Sequence, residues 1–212
     1  MTNSDARASQ HITPTSNPRW LDLLITALGL LSLLFFAVFY DQAFPSAALD
    51  LSISSAEIKQ RAHTYLRDQG YDLNGYKSVV TFGGSSWSSY YLQRTLGIPK
   101  TNELIQEANL PIWYWHVRWF RPLQKEEFRV YLAPDTGDVV GLSHTVLEDA
   151  PGASLTQAEA RTLAEGYLSE DRRWDLGDWE EVSASSNDRP GGRTDHYFSW
   201  KRTDWDVGES EL

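Results

Sequence analysis

Five histidines (His11, His63, His116, His144 and His196) and the adjacent pair Glu126-Glu127 are the residues of this chain best suited to acid–base or metal chemistry. A zinc hydrolase commonly sets two imidazoles on one helix face through His-Glu-x-x-His. None of the five has that spacing. His144 and Glu148 are four apart, but on a run that reads as a strand and its exit, so we treat them as unrelated. Asp195-His196 joins a carboxylate to an imidazole that it could orient, with no nucleophile nearby to activate. There is no Gly-x-Ser-x-Gly elbow. Gly83-Gly84-Ser85-Ser86 lacks the Gly-Lys-Ser/Thr ending of a phosphate loop. Asp72 and Asp175 recur in equivalent surroundings and read as turn caps rather than as a catalytic carboxylate pair. These readings leave no expected catalytic residue and no expected metal ligand. What remains is a charged and aromatic group, Trp115, Arg118, Trp119, Arg121, Lys125, Glu126 and Glu127, which reads as a salt-bridged, solvated turn or as a docking surface.

The elements that carry this group follow from periodicity. Ile112–Phe120 is a long aromatic strand, with Trp113, Trp115, Val117 and Trp119 on one face and Tyr114, His116, Arg118 and Phe120 on the other. Glu127–Ala133 and Asp138–Val146 continue as strands, joined by a Pro134-Asp135-Thr136-Gly137 turn. Such a hairpin turns one face to a helix and the other partly to solvent. The helix comes earlier. Ser54-Ser55-Ala56-Glu57 is a capping box, Ile58, Ala62, Tyr65 and Leu66 share a face, and Gly70 ends the run. Lys77–Phe82 reads as a strand, and Ser88–Leu96 and Thr101–Ala108 as two short helices.

The pattern then recurs. Tyr71-Asp72-Leu73-Asn74-Gly75-Tyr76 is echoed by Trp174-Asp175-Leu176-Gly177-Asp178-Trp179. Before the second copy stands another capping box, Thr156-Gln157-Ala158-Glu159, followed by an apolar face of Ala160, Leu163, Ala164, Tyr167 and Leu168. Glu181–Ser185 and Thr194–Trp205 read as strands. Repeats decide the architecture. We expect an α+β chain with unit one at 53–150 and a truncated unit two at 154–212, the front portion of something longer.

The chain has 212 residues, a net charge of −10 and no cysteine. Acidity argues against a nucleic-acid partner, and the missing thiols exclude disulfides and cysteine metal sites. Residues 23–40 are apolar without a charge, and about 20 such residues cross a bilayer core roughly 30 Å thick. Trp20 and Tyr40 bracket the run as interface residues. We expect a transmembrane helix at 19–41, after a disordered cytoplasmic tail at 1–18 and before a linker at 42–52. Arg7 and Arg19 precede the run and the first lysine after it is Lys59, so the N-terminus is placed inside and the rest outside. A cleaved signal peptide, with Ser46-Ala47-Ala48 as its site, is the competing reading. The lipid bilayer and a peptide or protein substrate are the expected partners.

Helix, strand, strand and the hairpin Val130-Tyr131-Leu132-Ala133-Pro134-Asp135-Thr136-Gly137-Asp138-Val139, with Thr156-Gln157-Ala158-Glu159-Ala160, resemble the PepSY module. A longer run is similar to the segment between the first membrane helix and the catalytic helices of some bacterial CPBP (CAAX-type) intramembrane metalloproteases. It extends from Arg118-Trp119-Phe120-Arg121-Pro122-Leu123-Gln124-Lys125-Glu126-Glu127 through Glu148-Asp149-Ala150-Pro151-Gly152-Ala153, with Arg193-Thr194-Asp195-His196. Those proteases hold a zinc-type metal through Glu-Glu-x-x-x-Arg and histidine motifs on membrane helices. Here Glu126-Glu127 precedes Phe128-Arg129 on a strand, and Glu180-Glu181 has no arginine four positions on. The resemblance therefore implies an extracytoplasmic accessory region in a bacterial cell membrane, with metal and catalysis in a part not contained in this chain. The alternative is a stand-alone, signal-anchored binding or protease-inhibitory protein of the envelope.

Overall fold

The computed structural model describes residues 19–44, 49, 51–107 and 112–203. The described residues divide into two units, one ending at Phe44 and one made of those that follow. The expected tail at 1–18 and the residues from Asp204 onward, including the expected end of the last strand at Trp205, lie outside the described residues.

The first unit contributes one helix, α1 (Arg19–Ala43). Its apolar stretch Arg19–Tyr40 has a mean hydropathy of 2.5 and buries nothing against the protein. It is long and apolar enough to cross a membrane, as an anchor or as a signal sequence. Thr26 and Ser32 return their hydroxyls to the carbonyls of Asp22 and Leu28, so α1 exposes few polar groups.

The second unit begins with α2 (Ser55–Asp68), capped by Ser54, whose hydroxyl accepts from the Glu57 N–H at 3.3 Å. The reciprocal half of the expected box is not formed, because Glu57 binds Arg61 instead, at 2.7 Å. Four antiparallel strands follow in spatial order β1 (Lys77–Gly84), β2 (Trp113–Phe120), β3 (Glu127–Leu132) and β4 (Val139–Thr145). Helices α3 (Ser86–Leu96) and α4 (Ile98–Glu107) are inserted between β1 and β2. They close a small core of Leu92, Ile105 and Ile112. The main core lies under α2. Ile58, Ala62 and Leu66 meet Val117, Trp119, Phe128, Val130 and Leu132, all buried. Removing such aliphatic side chains from water contributes about 1.5–3 kcal/mol apiece. Trp115, Val117 and Trp119 share a face as period two requires, and that face is the one under α2, where Val117 and Trp119 are buried.

The repeat is visible in the hydrogen bonding. Helix α5 (Gln157–Gly166) carries the complete capping box, and the two-stranded sheet of β5 (Trp179–Asp188) and β6 (Thr194–Arg202) follows. Ser78 faces Trp119, Val80 faces Val117 and Phe82 faces Trp115. At matching positions Glu181 faces Trp200, Ala184 faces Phe198 and Ser186 faces His196, one residue being absorbed by an irregularity between Glu181 and Ser183. A second extra residue lies between helix and turn. The Tyr71 N–H bonds the Leu66 carbonyl, whereas Trp174 bonds Leu168 from one residue further along, each at 3.0 Å. A π-helical stretch, Tyr167–Asp171, accommodates that residue, as insertions into helices commonly do. Both turns then close in the same way, Asp72 accepting from Asn74 N–H and Asp175 from Gly177 N–H. Strands β3 and β4 have no counterpart among the described residues of this second half.

One expectation is corrected. Leu163 and Tyr167 do not belong to the buried face of α5; Leu163 is 65% exposed and Tyr167 is exposed as well. The Tyr167 hydroxyl lies 3.2 Å from that of Tyr65 on α2. Arg161 packs on the sheet instead, bonding Glu181 at 2.8 and 3.0 Å with its guanidinium over the Phe198 ring.

Candidate functional site

The seven residues singled out from sequence do not form one surface. Trp119 is buried under α2 and Trp115 is half-buried on the same face of the sheet. Their strand neighbours point the other way. On the face away from α2, Arg118 and Arg129 both grip Glu127, which is only 7% exposed. Arg118 lies over the Phe120 ring, and His116 stacks on Tyr131 with ring centres 5.0 Å apart. The exposed face of the four-stranded sheet is thus a band of arginine and aromatic side chains around one shared carboxylate. Burial, with Arg129 and Arg118 close by, holds the His116 imidazole below its ordinary pKa.

Arg121, Lys125 and Glu126 sit at the β2–β3 turn. Arg121 covers the Tyr76 ring at 4.1 Å and donates to the Asn74 carbonyl at 2.8 Å. Lys125 is exposed. Glu126 bonds His144 at 3.0 Å, across strands that sequence separation alone would not have joined. Hydrogen bonding from His144, and then from Tyr76, lowers the Glu126 pKa; burial and the Glu126 contact raise that of Tyr76. His144 is therefore unrelated to Glu148, as expected.

Asp195 and His196, adjacent in sequence, point to opposite faces of β6. Asp195 accepts from Arg189 and Arg193 at 2.6 Å each, and Arg193, with Arg189, lowers its pKa. The same arginines hold the connection that follows β4. Arg189 reaches Glu148 at 2.7 Å, and Arg193 donates to the carbonyls of Leu147 and Ala150. His196 Nε2 donates to the Leu155 carbonyl, 3.0 Å away, and its Nδ1 lies 2.8 Å from Ser186 Oγ. Its two ring nitrogens are thus engaged by a hydroxyl and a backbone carbonyl. No carboxylate orients it, so the pair pins the connection to the hairpin. The sequence signal for this clamp was the Arg-Pro-Gly-Gly-Arg run at 189–193, which a motif search for catalysis does not weigh.

A feature missed in the sequence lies beside β6. Tyr71 and Tyr76 both rest against Phe128 of β3, with centroids at 4.8 and 5.5 Å. The matching pair, Trp174 and Trp179, has no such ring between them and stacks face to face at 4.1 Å with planes 2° apart. The outer edge of β6 carries no neighbouring strand among the described residues. Beside it Leu163 is exposed and Phe198 and Trp200 are half-buried, while the Thr194 N–H at the start of β6 donates to the Ala153 carbonyl at 3.2 Å.

Among the described residues, no three His, Asp or Glu side chains are grouped to hold a metal ion. Comparison with protein-family models, curated proteins and solved structures finds no match.

Proposed function

We propose that this chain is a membrane-anchored, extracytoplasmic binding region whose α+β body presents a sheet to another polypeptide, as an accessory part of a CPBP (CAAX-type) intramembrane metalloprotease. The observation that carries the reading is one apolar helix, α1, followed by a body whose second half repeats the helix and first two strands of the four-stranded half and, among the described residues, has no strand beyond β6. An anchor restricts the body to the membrane surface, where a membrane enzyme meets its substrates, and an open strand edge recognises extended chains through backbone hydrogen bonds. The tandem PepSY-like description is consistent with the helix-on-sheet units and belongs to the same proposal. The catalytic groups and zinc-type metal of such a protease would reside in a part not contained in this chain.

Because the sequence has no cysteine, single introduced thiols report topology cleanly. In intact bacterial cells, Thr95→Cys should react with a membrane-impermeant maleimide, and Ser4→Cys should react only after the cells are opened. The whole labelled chain should stay with membranes through an alkaline wash. The reverse labelling pattern, or full-length protein in the wash, sinks the anchored reading. Mild-detergent capture that repeatedly recovers no membrane polypeptide bearing Glu-Glu-x-x-x-Arg sinks the protease association.

A further inference from the structure

We propose that the outward face of α3 lies on the lipid bilayer, with Trp87 and Tyr90 at headgroup level and Arg94 among the phosphates. This deepens the anchored reading above and rests on it.

The helix holds that face rigidly. Ser85 caps it, accepting from the Ser88 N–H at 3.2 Å, and Gly97, with φ +78°, ends it. At about 3.6 residues per turn, Ser89, Leu92 and Leu96 fall on one side. Ser89 is buried there, Leu92 is buried with Ile105 and Ile112, and Leu96 packs against them. Trp87, Tyr90 and Arg94 fall on the opposite side, three and four residues apart. Trp87 is 83% exposed and Tyr90 is 55% exposed. Arg94 donates to the Tyr90 hydroxyl at 3.1 Å. Single exposed apolar side chains are ordinary. Two large rings with polar tips beside a guanidinium, on a helix pinned from behind, are the composition of a membrane–water interface. There the ring bodies leave water while the indole N–H, the phenol and the guanidinium stay hydrated.

Charge selects lipid as the occupant. The chain carries 29 acidic residues, yet none lies between Asp72 and Glu103, a stretch of 30 residues that contains β1 and α3. Its charged residues are Lys77, Arg94 and Lys100. Lys77 begins β1, at the far end of that strand, and Lys100 pairs with Glu103 at 2.9 Å, which leaves Arg94 as the cation of the α3 face. An acidic surface is repelled by anionic headgroups, and this stretch is free of that repulsion.

The fold sets the face at the end of the sheet where the chain arrives from α1. Strand β1 ends and β2 begins at that end, where the Ser85 N–H bonds the Ile112 carbonyl at 2.8 Å. The β3–β4 turn is at the same end, and its Thr136 carbonyl accepts from Arg61 at 2.6 Å. Arg61 belongs to the second turn of α2, so α2 starts there as well. Eleven residues separate α1 from α2, a reach of at most about 40 Å. The other end of the sheet carries its own exposed apolar residue, Leu123 of the β2–β3 turn. It is the rival contact, and on this proposal it points away from the bilayer.

The test uses the full chain, one copy per nanodisc, in phosphatidylcholine with phosphatidylglycerol. A single thiol, Ser86→Cys or Gln124→Cys, carries an environment-sensitive fluorophore; both positions are exposed. The label at 86 should shift to the blue and be quenched by lipids spin-labelled at headgroup level, and the label at 124 should do neither. Trp87→Ser combined with Tyr90→Ser should cut the quenching at 86 roughly twofold or more. Because both side chains are exposed, the denaturation midpoint should not move. Arg94→Glu should reduce the quenching more in discs containing phosphatidylglycerol than in phosphatidylcholine alone. Equal water exposure of the two labels, or quenching at 124 instead of 86, overturns the proposal. So does a blue shift at 86 without quenching by lipid, which would make a protein surface the occupant. Expected maleimide labelling and membrane retention, together with a label at 86 that stays in water, would defeat this inference alone and leave the anchored reading standing.

Discussion

Tyr71 and Tyr76 are separated by Phe128, while Trp174 and Trp179, at the same places in the repeat, lie against each other. The helix, turn and first two strands are otherwise alike in the two halves, down to the facing pairs of the strands. Yet Ile58, Ala62 and Leu66 of α2 are completely buried, and their counterparts Ala160, Ala164 and Leu168 of α5 are only half-buried. What differs among the described residues is the presence of β3 and β4. A helix on two strands covers one flank of its apolar face; a helix straddling a third strand covers both. Local sequence builds the helix and hairpin in either case, and the neighbouring strand determines whether they enclose a core.

The largest expected effect tests that statement directly. Leu66→Ala removes a fully buried side chain and should cost about 2–5 kcal/mol. Leu168→Ala, at the half-buried equivalent, should cost roughly 1 kcal/mol or less, in proportion to the smaller area withdrawn from water. Denaturant midpoints of the full chain in mild detergent, read with their slopes, measure both. Equal losses would mean that the α5 face is covered in the intact protein.

The contrast also separates what was legible in the sequence from what was not. The alternation at Trp113, Trp115, Val117 and Trp119 grouped them on one face, because strand geometry admits only two faces; which of the two meets α2 depends on the helix and was not legible. Capping at Ser54 and Thr156, the stop at Gly70 and the two Asp turns were legible because each depends on residues a few positions apart. Leu163 was assigned inward for the same local reason and is exposed, since helical periodicity says which residues share a face but not what lies under it. Arg161 covers the sheet because Glu181 stands across from it, 20 residues away. Glu126 found His144 only through the pairing of β3 with β4, a register that separation along the chain does not reveal. The seven grouped residues scattered for a related reason. Trp115 and Trp119 alternate with Arg118, so nearness in sequence placed them on opposite faces.

A smaller difference concerns the helix ends. Gly70 has φ +85°, and the residue in the corresponding place of the second half is Arg173, with φ +55°. The left-handed region costs a residue with a Cβ about 1–2 kcal/mol, part of which glycine's greater freedom in the unfolded chain offsets. Gly70→Ala should therefore destabilise by about 1 kcal/mol, and Arg173→Gly should stabilise by about 0.5–1 kcal/mol. The opposite signs matter more than the sizes. If Arg173→Gly destabilises the chain, the arginine side chain makes a contribution at this position that the repeat does not require of Gly70.

The smallest effect belongs to His116, on the uncovered face of the four-stranded half. Its ring stacks on Tyr131, its Nδ1 lies 3.5 Å from Thr81 Oγ1, and burial beside Arg129 and Arg118 depresses its pKa. A depressed imidazole binds its proton less readily in the folded chain than in the unfolded one. The stability it contributes is therefore complete above the ordinary imidazole range and is lost as pH falls through that range toward the lowered folded value. Two other histidines, His63 and His144, belong to the same half, so the informative quantity is the difference between the wild type and His116→Gln. The wild-type midpoint should fall more steeply on mild acidification, and the variant should lose that extra slope while keeping the stacked, uncharged side chain at neutral pH only in part. A variant with an unchanged pH slope would mean that Glu127, which favours the protonated ring, offsets burial and the two arginines. The face would then accommodate a third positive charge around its single buried carboxylate.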